Sequence, residues 1–187
     1  MHMATTNRRN KKLYSEIAKK KKDIINNIFN DNIDFSNVSL SILDIDKNID
    51  KTLLEKLKYE LEGKCSKNGL IKKDTIKIIN YSPGNLQGSN VIYHVNYNSL
   101  ICNPVEGMVV DCYVKNITKA GIRAELNGYQ NTDDTCPIVV FIARDHNFDN
   151  EYFTNLNTGD IIKTRIIGSR FVLNDLFISC IAELIYN

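Results

Sequence analysis

The pattern of apolar and polar residues over the first hundred positions predicts one helix among several strands. Apolar and polar residues alternate over Ser39–Ile45, which predicts a β-strand. Asp50 is placed to cap the start of a following helix, and Gly63 is expected to end it. The helix is predicted from an apolar stripe at helical spacing, whose members are Leu54, Leu57 and Leu61.

Two further stretches of this part have the period of a β-strand. In Gly69–Ile79, the residues Ile76 and Ile78 lie on one predicted face, and Val91–Ile101 gives the clearest alternation in the chain. Residues 82–90 between them contain Ser, Pro, Gly and Asn, which are typical of a loop. Together with the helix, these strands predict a small α+β unit.

After Asn103 and Pro104 the pattern gives no strong helix signal and five strand candidates. Each is bounded by Gly, Asn or Asp, and they are Glu106–Lys115, Gly121–Leu126, Pro137–Arg144, Asp160–Gly168 and Phe177–Leu184. Five short antiparallel strands in about 80 residues, with one longer polar connection at residues 145–158, predict an all-β, five-stranded barrel of the oligonucleotide-binding (OB) type. A five-stranded sandwich is the alternative.

These patterns divide the chain into three segments. We expect a basic, partly helical N-terminal extension at residues 1–36, the α+β unit at residues 37–103 and the barrel at residues 104–187. Residues 1–22 hold eight basic residues and one acidic residue, whereas residues 23–187 hold 16 basic and 21 acidic residues. The body is therefore not a generally basic nucleic-acid binder. The extension is either a solvated helix face or a basic arm for nuclear targeting or nucleic-acid contact.

Composition and motifs exclude several classes of protein. No apolar run approaches the ~20 residues of a transmembrane helix, and the basic N-terminus lacks the apolar core of a signal peptide, so we expect an intracellular protein without membrane contact. The five cysteines form no C-x-x-C pair, which argues against a zinc ribbon and a disulfide framework.

The sequence contains no motif that predicts an enzyme, a cofactor or a metal site. Phosphate-binding glycine motifs and a nucleophile flanked by a recognisable motif are absent. Acidic residues and Asn between Asp44 and Glu55 follow part of a calcium-loop spacing, but Ile49 stands where such a loop needs Gly. His94, between Tyr93 and Val95, fits the exposed face of a strand.

The predicted barrel carries basic and aromatic residues at alternate strand positions. An OB-type barrel binds single strands by stacking bases on aromatic rings and contacting phosphates with cations. The candidate RNA-binding residues are Lys115, Arg123, Phe141, Arg144, Lys163, Arg165 and Arg170. One aromatic ring with a few cations predicts weak, sequence-tolerant binding, and Phe141 could equally belong to the core.

The order of an α+β unit and a barrel, with a set of short motifs, resembles the seventh subunit of eukaryotic RNA polymerase II and its archaeal counterpart. The resemblance runs from about Ser39 to the C-terminus. It is carried by Leu57, Glu60–Gly63, Cys65, Gly69, Val95, Tyr97, Pro104–Asp111, Gly121, Phe141–Arg144, Ile166–Arg170 and Asn174–Phe177.

This resemblance implies a non-catalytic stalk subunit of a DNA-directed RNA polymerase. The α+β unit would be a tip domain of truncated ribonucleoprotein type that docks on the large polymerase subunits, and the barrel would meet nascent RNA. A partner similar to the fourth polymerase subunit would bind along both domains. The implied docking residues are Gly63, Cys65, Gly69, Pro83, Gly84 and Gly88, and the implied interdomain hinge contains Pro104 and Gly107.

The chain also departs from the family. Family barrels often have an aromatic residue where this chain has Arg123, and the N-terminal extension has no counterpart in the cellular subunit. With the abundance of Asn, Ile and Lys, these features suggest a large DNA virus, or else a protist. The expected location is then the virion and the viral factory in the host cytoplasm, or otherwise the nucleus. A free-standing RNA-binding or translation-initiation module is the alternative function, and a ribonuclease using the barrel for substrate capture is a second rival.

Overall fold

The computed structural model describes residues 28–45, 47–129, 135–147 and 150–186. The helix predicted in the N-terminal extension rests on apolar residues at helical spacing, namely Leu13, Ile17, Ile24 and Ile28. All of these except Ile28 lie outside the described residues. Ile28 and Phe29 are buried, and the first strand begins at Phe29.

The first unit is a six-stranded sheet with one helix packed against it. Its elements are β1 (Phe29–Ser41), a 3₁₀ turn (Ile42–Asp44), α1 (Ile49–Leu61), β2 (Cys65–Ser66), β3 (Gly69–Ile71), β4 (Lys77–Tyr81), β5 (Asn85–Gln87) and β6 (Asn90–Cys102). The long strand β6 is central, because it pairs with β1, β3, β4 and β5. Leu53 and Leu57 of α1 are fully buried against Val38 and Val95 of the sheet.

Strand β1 corrects the prediction at both of its ends. It begins at Phe29, inside the predicted N-terminal extension, and ends at Ser41, so that Ile42–Asp44 form a 3₁₀ turn instead of continuing the strand. Most residues of β1 before Val38 are Asn, Asp or Ser, which have low strand propensity. The strand is held by antiparallel pairing with β6 along its whole length, from Phe29 opposite Cys102 to Ser41 opposite Asn90.

Two other predictions for this unit need correction. The N-cap position of the helix is Asn48, whose side chain makes no capping hydrogen bond, and Asp50 lies in the first turn. The buried residues of the helix are Leu53 and Leu57, while Leu54 and Leu61 are only partly buried. The predicted strand Gly69–Ile79 is divided into β3 and β4. The chain turns between them at Asp74, whose φ of 57° is left-handed and interrupts extended structure.

The second unit is a closed five-stranded barrel. Its elements are β7 (Val109–Ile117), β8 (Gly121–Leu126), β9 (Ile138–Ala143), a 3₁₀ turn (Arg144–His146), α2 (Glu151–Thr154), β10 (Ile161–Arg170) and β11 (Ile178–Leu184). The order around the barrel is β7, β8, β9, β11, β10 and back to β7. This closed Greek-key arrangement is consistent with an OB-type barrel and excludes the sandwich.

The five predicted barrel strands are present, but their pairing is not wholly antiparallel. β9 and β11 run parallel, with Ile138 opposite Ile178 and Phe141 opposite Ile181. The barrel is therefore mixed. The polar connection after β9 contains the short helix α2, whose Phe153 is buried in the barrel core.

The two units share part of their core and are joined by backbone hydrogen bonds. Phe29, Cys65 and Cys102 of the first unit belong to the same buried cluster as the barrel residues. The loop between β10 and β11 contacts β2 directly, because Cys65 forms backbone hydrogen bonds with Asn174 and Asp175. Among the described residues, no helix is long and apolar enough to cross a membrane.

Candidate nucleic-acid interface and docking surface

The centre of the candidate RNA face is a cross-strand pair on β8 and β9. Arg123 lies directly opposite Phe141 in the antiparallel register, and both side chains point away from the barrel core. Phe141 is 38% exposed. Its ring lies beside Gly121, where an added Cβ would lie 3.0 Å from Phe141 Cζ and would collide with the carbonyl oxygen of Ile142. Gly121 thus leaves room for an aromatic ring on the barrel surface.

Glu125 links the two cations of this face. Lys115 Nζ lies 3.3 Å from Glu125 Oε2, and a guanidinium nitrogen of Arg123 lies 3.8 Å from Glu125 Oε1. A bulge between Val114 and Asn116 adds a residue to β7 at the position of Lys115. The face therefore presents two half-exposed cations that share one partly buried carboxylate.

Two apolar residues extend the face beyond Phe141. Ile181 of β11 lies opposite Phe141, and Ile167 of β10 is the unpaired residue of the bulge next to Gly168, which lies opposite Ile181. Both isoleucines are exposed. Sequence reasoning did not include them in the site. The strand pattern predicts an outward position for Ile181. Alternate residues of a strand point to opposite faces, and Cys180 and Ala182 on either side of Ile181 are buried.

Arg144 occupies a different position from the other candidates. It begins the 3₁₀ turn after β9, and its guanidinium donates to the carbonyl of Thr118 at 3.2 Å. The guanidinium carbon also lies 5.4 Å from the centre of the Phe153 ring. Arg144 is partly buried, so it holds the β7–β8 turn and α2 together and offers only part of its side chain to a ligand.

The remaining three candidates lie on β10, on another side of the barrel. Lys163 is paired in register with Asp111, and Arg165 forms an ion pair of 2.8 Å with Glu183. Arg170 ends the strand opposite Ser179 and is exposed. The seven predicted RNA-binding residues therefore do not share one face. Lys115, Arg123 and Phe141 form one group, and Lys163 and Arg165 form another.

The implied docking residues also fall into two groups. Cys65 is 2% exposed, and Gly69 is buried so closely that a Cβ there would collide with the carbonyl oxygen of Cys102. Gly63 donates its N–H to the carbonyl of Ile71 at 2.9 Å. Pro83, Gly84 and Gly88, in contrast, are exposed on the β4–β6 connection. Cys65 and Gly69 therefore pack inside the molecule and Gly63 is only partly buried, whereas the second group is fully on the surface.

An apolar surface that sequence reasoning missed lies next to this second group. The N–H of Ile42 donates to the carbonyl of Ser89 at 3.1 Å, which places the 3₁₀ turn beside the connection. Leu43 is 93% exposed, and Ile42, Ile45 and Leu86 are also exposed. We call the residues Ile42, Leu43, Ile45, Pro83 and Leu86 the apolar tip. The sequence contains the apolar residues Ile42, Leu43 and Ile45 and, separately, a loop rich in Gly and Asn, but it gives no sign that the two lie side by side.

The implied hinge is bonded to the barrel in this structure. Gly107 donates its N–H to the carbonyl of Ile166 at 2.8 Å, and the hydroxyl of Ser169 donates to the carbonyl of Pro104 at 3.0 Å. Gly107 has a φ of 84°, so the segment turns sharply at that residue. These bonds tie residues 104–107 to strand β10.

The cysteines are suited to packing and not to chemistry. All five are buried free thiols. Burial raises the pKa of Cys102, Cys112 and Cys180 to about 12, so the nucleophilic thiolate is scarce at neutral pH. Within the described ranges, no group of three or more His, Cys, Asp or Glu side chains could hold a metal ion.

Comparison with known proteins identifies a viral relative. No family model matches the chain. The chain is 32% identical over 155 residues to a protein of Acanthamoeba polyphaga mimivirus named "Putative DNA-directed RNA polymerase subunit". The match covers 74% of this chain and 72% of the mimivirus protein. Each of the two units contains less than 74% of the chain, so the matched segment includes residues of both.

Proposed function

The chain belongs to the family of DNA-directed RNA polymerase subunits that includes the mimivirus protein, and on this premise we propose that it is a non-catalytic stalk subunit of a viral polymerase. In this role the first unit docks on the large polymerase subunits, which hold the catalytic residues. The barrel contacts nascent single-stranded RNA as it leaves the enzyme. The protein then works where the viral polymerase works, in the viral factory and the virion.

The apolar tip supports the docking part of this proposal. Leu43 is almost completely exposed, and Leu86 lies on the neighbouring connection with 63% of its surface exposed. Exposed apolar residues that cluster at one end of a molecule are typical of a protein-binding surface. The exposed docking residues Pro83, Gly84 and Gly88 lie on the same connection.

Copurification from infected cells tests the docking surface. We expect the tagged protein to retain the large polymerase subunits, and the variant Leu43→Asp/Leu86→Asp to lose them because a buried carboxylate without a partner is costly. The control is Tyr59→Asp, which places the same charge on an exposed residue of α1. Retention of the large subunits by the tip variant would exclude this surface, and their absence from the wild-type preparation would favour a free-standing RNA-binding module.

The observation that carries the RNA part is the position of Arg123 directly opposite Phe141. An exposed aromatic ring provides a stacking surface for a base, and an adjacent cation can contact the phosphate on either side of that base. Lys115 adds a second cation on β7. A single ring with two cations supports weak contact with no strong sequence preference, which suits a surface over which a transcript must move.

Crosslinking of the emerging transcript tests the RNA face. The variant Arg123→Ala/Phe141→Ala should reduce crosslinking of the assembled polymerase to nascent RNA without releasing the subunit. The matched control is Phe35→Ala/Lys77→Ala, which removes an exposed aromatic residue and an exposed cation from the first unit. Equal crosslinking of the two variants would exclude the face around Phe141.

A stalk partner similar to the fourth polymerase subunit is a further part of the proposal. The loop between β10 and β11, which contacts the first unit, exposes Val172, Leu173 and Leu176. A partner that binds along both units would cover these side chains. Copurification of a second small subunit that is lost with Leu173→Asp would support this placement, and its retention would exclude it.

A further inference from the structure

A groove at the far end of the barrel is lined by two tyrosines that the RNA face does not use. Strand β11 begins beside the loop that contacts Cys65 and runs away from the first unit, so Tyr186 after its end lies at the opposite end of the barrel. The second tyrosine is Tyr152. The groove has a volume of about 380 Å³, and Asp111, Ile161 and Lys163 also line it.

The two tyrosine rings are exposed and fixed in place. Their centres are 5.9 Å apart and their planes are at 90°, with 49% of Tyr152 and 46% of Tyr186 exposed. The hydroxyl of Tyr186 donates to Asn147 Oδ1 at 2.6 Å, and Asn147 Nδ2 donates to the carbonyl of Ala143 at 2.9 Å. Tyr186 is thereby held against the end of β9.

Tyr152 is fixed by the helix that carries it. Asn150 Oδ1 accepts from the N–H of Tyr152 at 2.9 Å and from that of Phe153 at 3.3 Å, which caps α2. Phe153 is buried in the barrel core. Because both rings are ordered before a ligand arrives, little side-chain entropy is lost on binding.

The charges around the groove nearly cancel. Lys163 faces Asp111 across the β7–β10 pair, and Glu183 lies close enough to Tyr186 to help raise the pKa of its hydroxyl, after burial as the main cause. Glu183 is itself paired with Arg165. A site with this balance does not select a phosphate or another anion by charge, and its main binding surface is aromatic.

We infer that this groove binds one nucleobase of a single-stranded RNA by stacking against Tyr152 or Tyr186. The inference rests on the proposed RNA-binding function and adds a second contact to it. An RNA strand bound at both contacts would run along the end of β9, from Phe141 past Arg144. The guanidinium of Arg144 lies over the ring of Phe153, the residue that follows Tyr152 in α2. Stacking is tolerant of base identity, so this contact adds affinity without adding sequence preference.

Affinity measurements at several salt concentrations separate this contact from the RNA face. We would titrate the full chain against fluorescently labelled oligouridine of twelve nucleotides and record anisotropy. The variant Tyr152→Ala/Tyr186→Ala should bind roughly tenfold more weakly with an unchanged salt dependence, because stacking releases no counterions. Arg123→Ala should instead reduce the salt dependence.

Two control variants make the result specific. Tyr152→Phe/Tyr186→Phe keeps both rings and loses the hydrogen bond from Tyr186 to Asn147, so it should retain most of the wild-type affinity. Circular dichroism of the alanine variant checks that it is folded. Tyr59→Ala removes a tyrosine that is 81% exposed on α1 and should have no effect.

The outcomes distinguish failure of the groove from failure of the proposed function. If the folded alanine variant binds as the wild type does while Arg123→Ala/Phe141→Ala does not bind, the RNA face stands and the groove inference falls. The inference also falls if the alanine variant keeps its RNA affinity but loses a copurifying protein. If the wild-type chain has no affinity for RNA, the proposed RNA contact falls and the groove inference falls with it.

Discussion

The backbone N–H of Cys65 donates to the carbonyl of Asp175 at 2.7 Å, and the carbonyl of Cys65 accepts from the N–H of Asn174 at 2.9 Å. This pair of bonds joins β2 of the first unit to the loop between β10 and β11. Asn174 has a φ of 70°, a left-handed conformation that Asn tolerates better than most residues. The motifs around Cys65 and Asn174 are thus parts of one junction between the two units.

Gly69 is predicted to be essential for the packing of β3 against β6, next to this junction. A Cβ at residue 69 would collide with the carbonyl oxygen of Cys102, and its φ of 136° is unfavourable for other residues. Gly69→Ala should therefore lower the free energy of unfolding by about 2–4 kcal/mol. Gly168→Ala is the matched control, because a Cβ there meets no atom within 4 Å, and it should change stability by less than about 0.5 kcal/mol. Denaturant titration of both variants measures the difference, and equal stabilities would contradict the close packing of Gly69 against Cys102.

The buried thiols predict a loss of stability at alkaline pH. Burial raises the pKa of Cys102, Cys112 and Cys180 from 9.0 to about 12. The folded state therefore keeps protons that the unfolded state releases above pH 9, so this stabilisation is complete below pH 9 and is lost as the pH rises towards 12. Each of these thiols should contribute a slope of about 1.4 kcal/mol per pH unit in that range.

Denaturant titrations between pH 8 and pH 10 measure this slope. Cys102→Ala should reduce the slope of the unfolding free energy against pH by the contribution of one thiol. This reduction does not depend on how much the substitution changes stability at neutral pH. A wild-type stability that does not change above pH 9 would contradict the burial of these thiols. Maleimide labelling provides a second measurement, because the folded protein should react far more slowly than the unfolded protein.

The sequence pattern predicts the central strand β6 better than strand β1, which forms by pairing with β6. Residues 91–101 combine β-branched and aromatic residues with a clear alternation of apolar and polar positions at their centre, and the structure contains β6 there. Residues 29–36 are mostly polar, and they form a strand only because β6 provides a partner along their whole length. Pairing with a distant segment leaves no local pattern, so sequence periodicity could not reveal it.

The candidate site was predictable to a similar extent. Alternation predicted an outward position for Arg123 but left Phe141 open between the surface and the core. The structure places both side chains on the outside of the barrel. The groove at Tyr152 and Tyr186 was not predicted, since it forms where a four-residue helix meets the end of β11. The resemblance to the polymerase subunit identified Cys65 as a contact residue. It could not show whether Cys65 contacts the polymerase or, as in the structure, the barrel of the same chain.

Arg144 is predicted to contribute to stability. Arg144→Ala removes the hydrogen bond to Thr118 and the contact with the Phe153 ring, and should cost roughly 1–2 kcal/mol. Arg123→Ala removes a half-exposed side chain and should cost less than about 0.5 kcal/mol. Chemical denaturation compares the two variants. If Arg144→Ala proved as stable as the wild type, Arg144 would return to the group of freely available RNA-binding cations.

Glu125 is predicted to weaken RNA binding by the face around Phe141. Its carboxylate lies 3.3 Å from Lys115 Nζ and 3.8 Å from Arg123, so it offsets part of the positive charge available to phosphates. Glu125→Gln keeps the size and a hydrogen-bonding group but removes the negative charge. We expect tighter binding to oligouridine and a steeper dependence on salt, because more counterions are released when phosphates meet two uncompensated cations.

The control for this prediction is Glu60→Gln, which removes a carboxylate of the same type from α1 of the first unit, where it pairs with Lys56. Anisotropy titrations at several salt concentrations should separate the two variants, with only Glu125→Gln steepening the salt dependence through Lys115 and Arg123. If both variants increased affinity equally, the effect would come from net charge and not from the face. A decrease with Glu125→Gln would mean that the carboxylate holds the two cations in their binding positions, and its role would then be to support RNA contact.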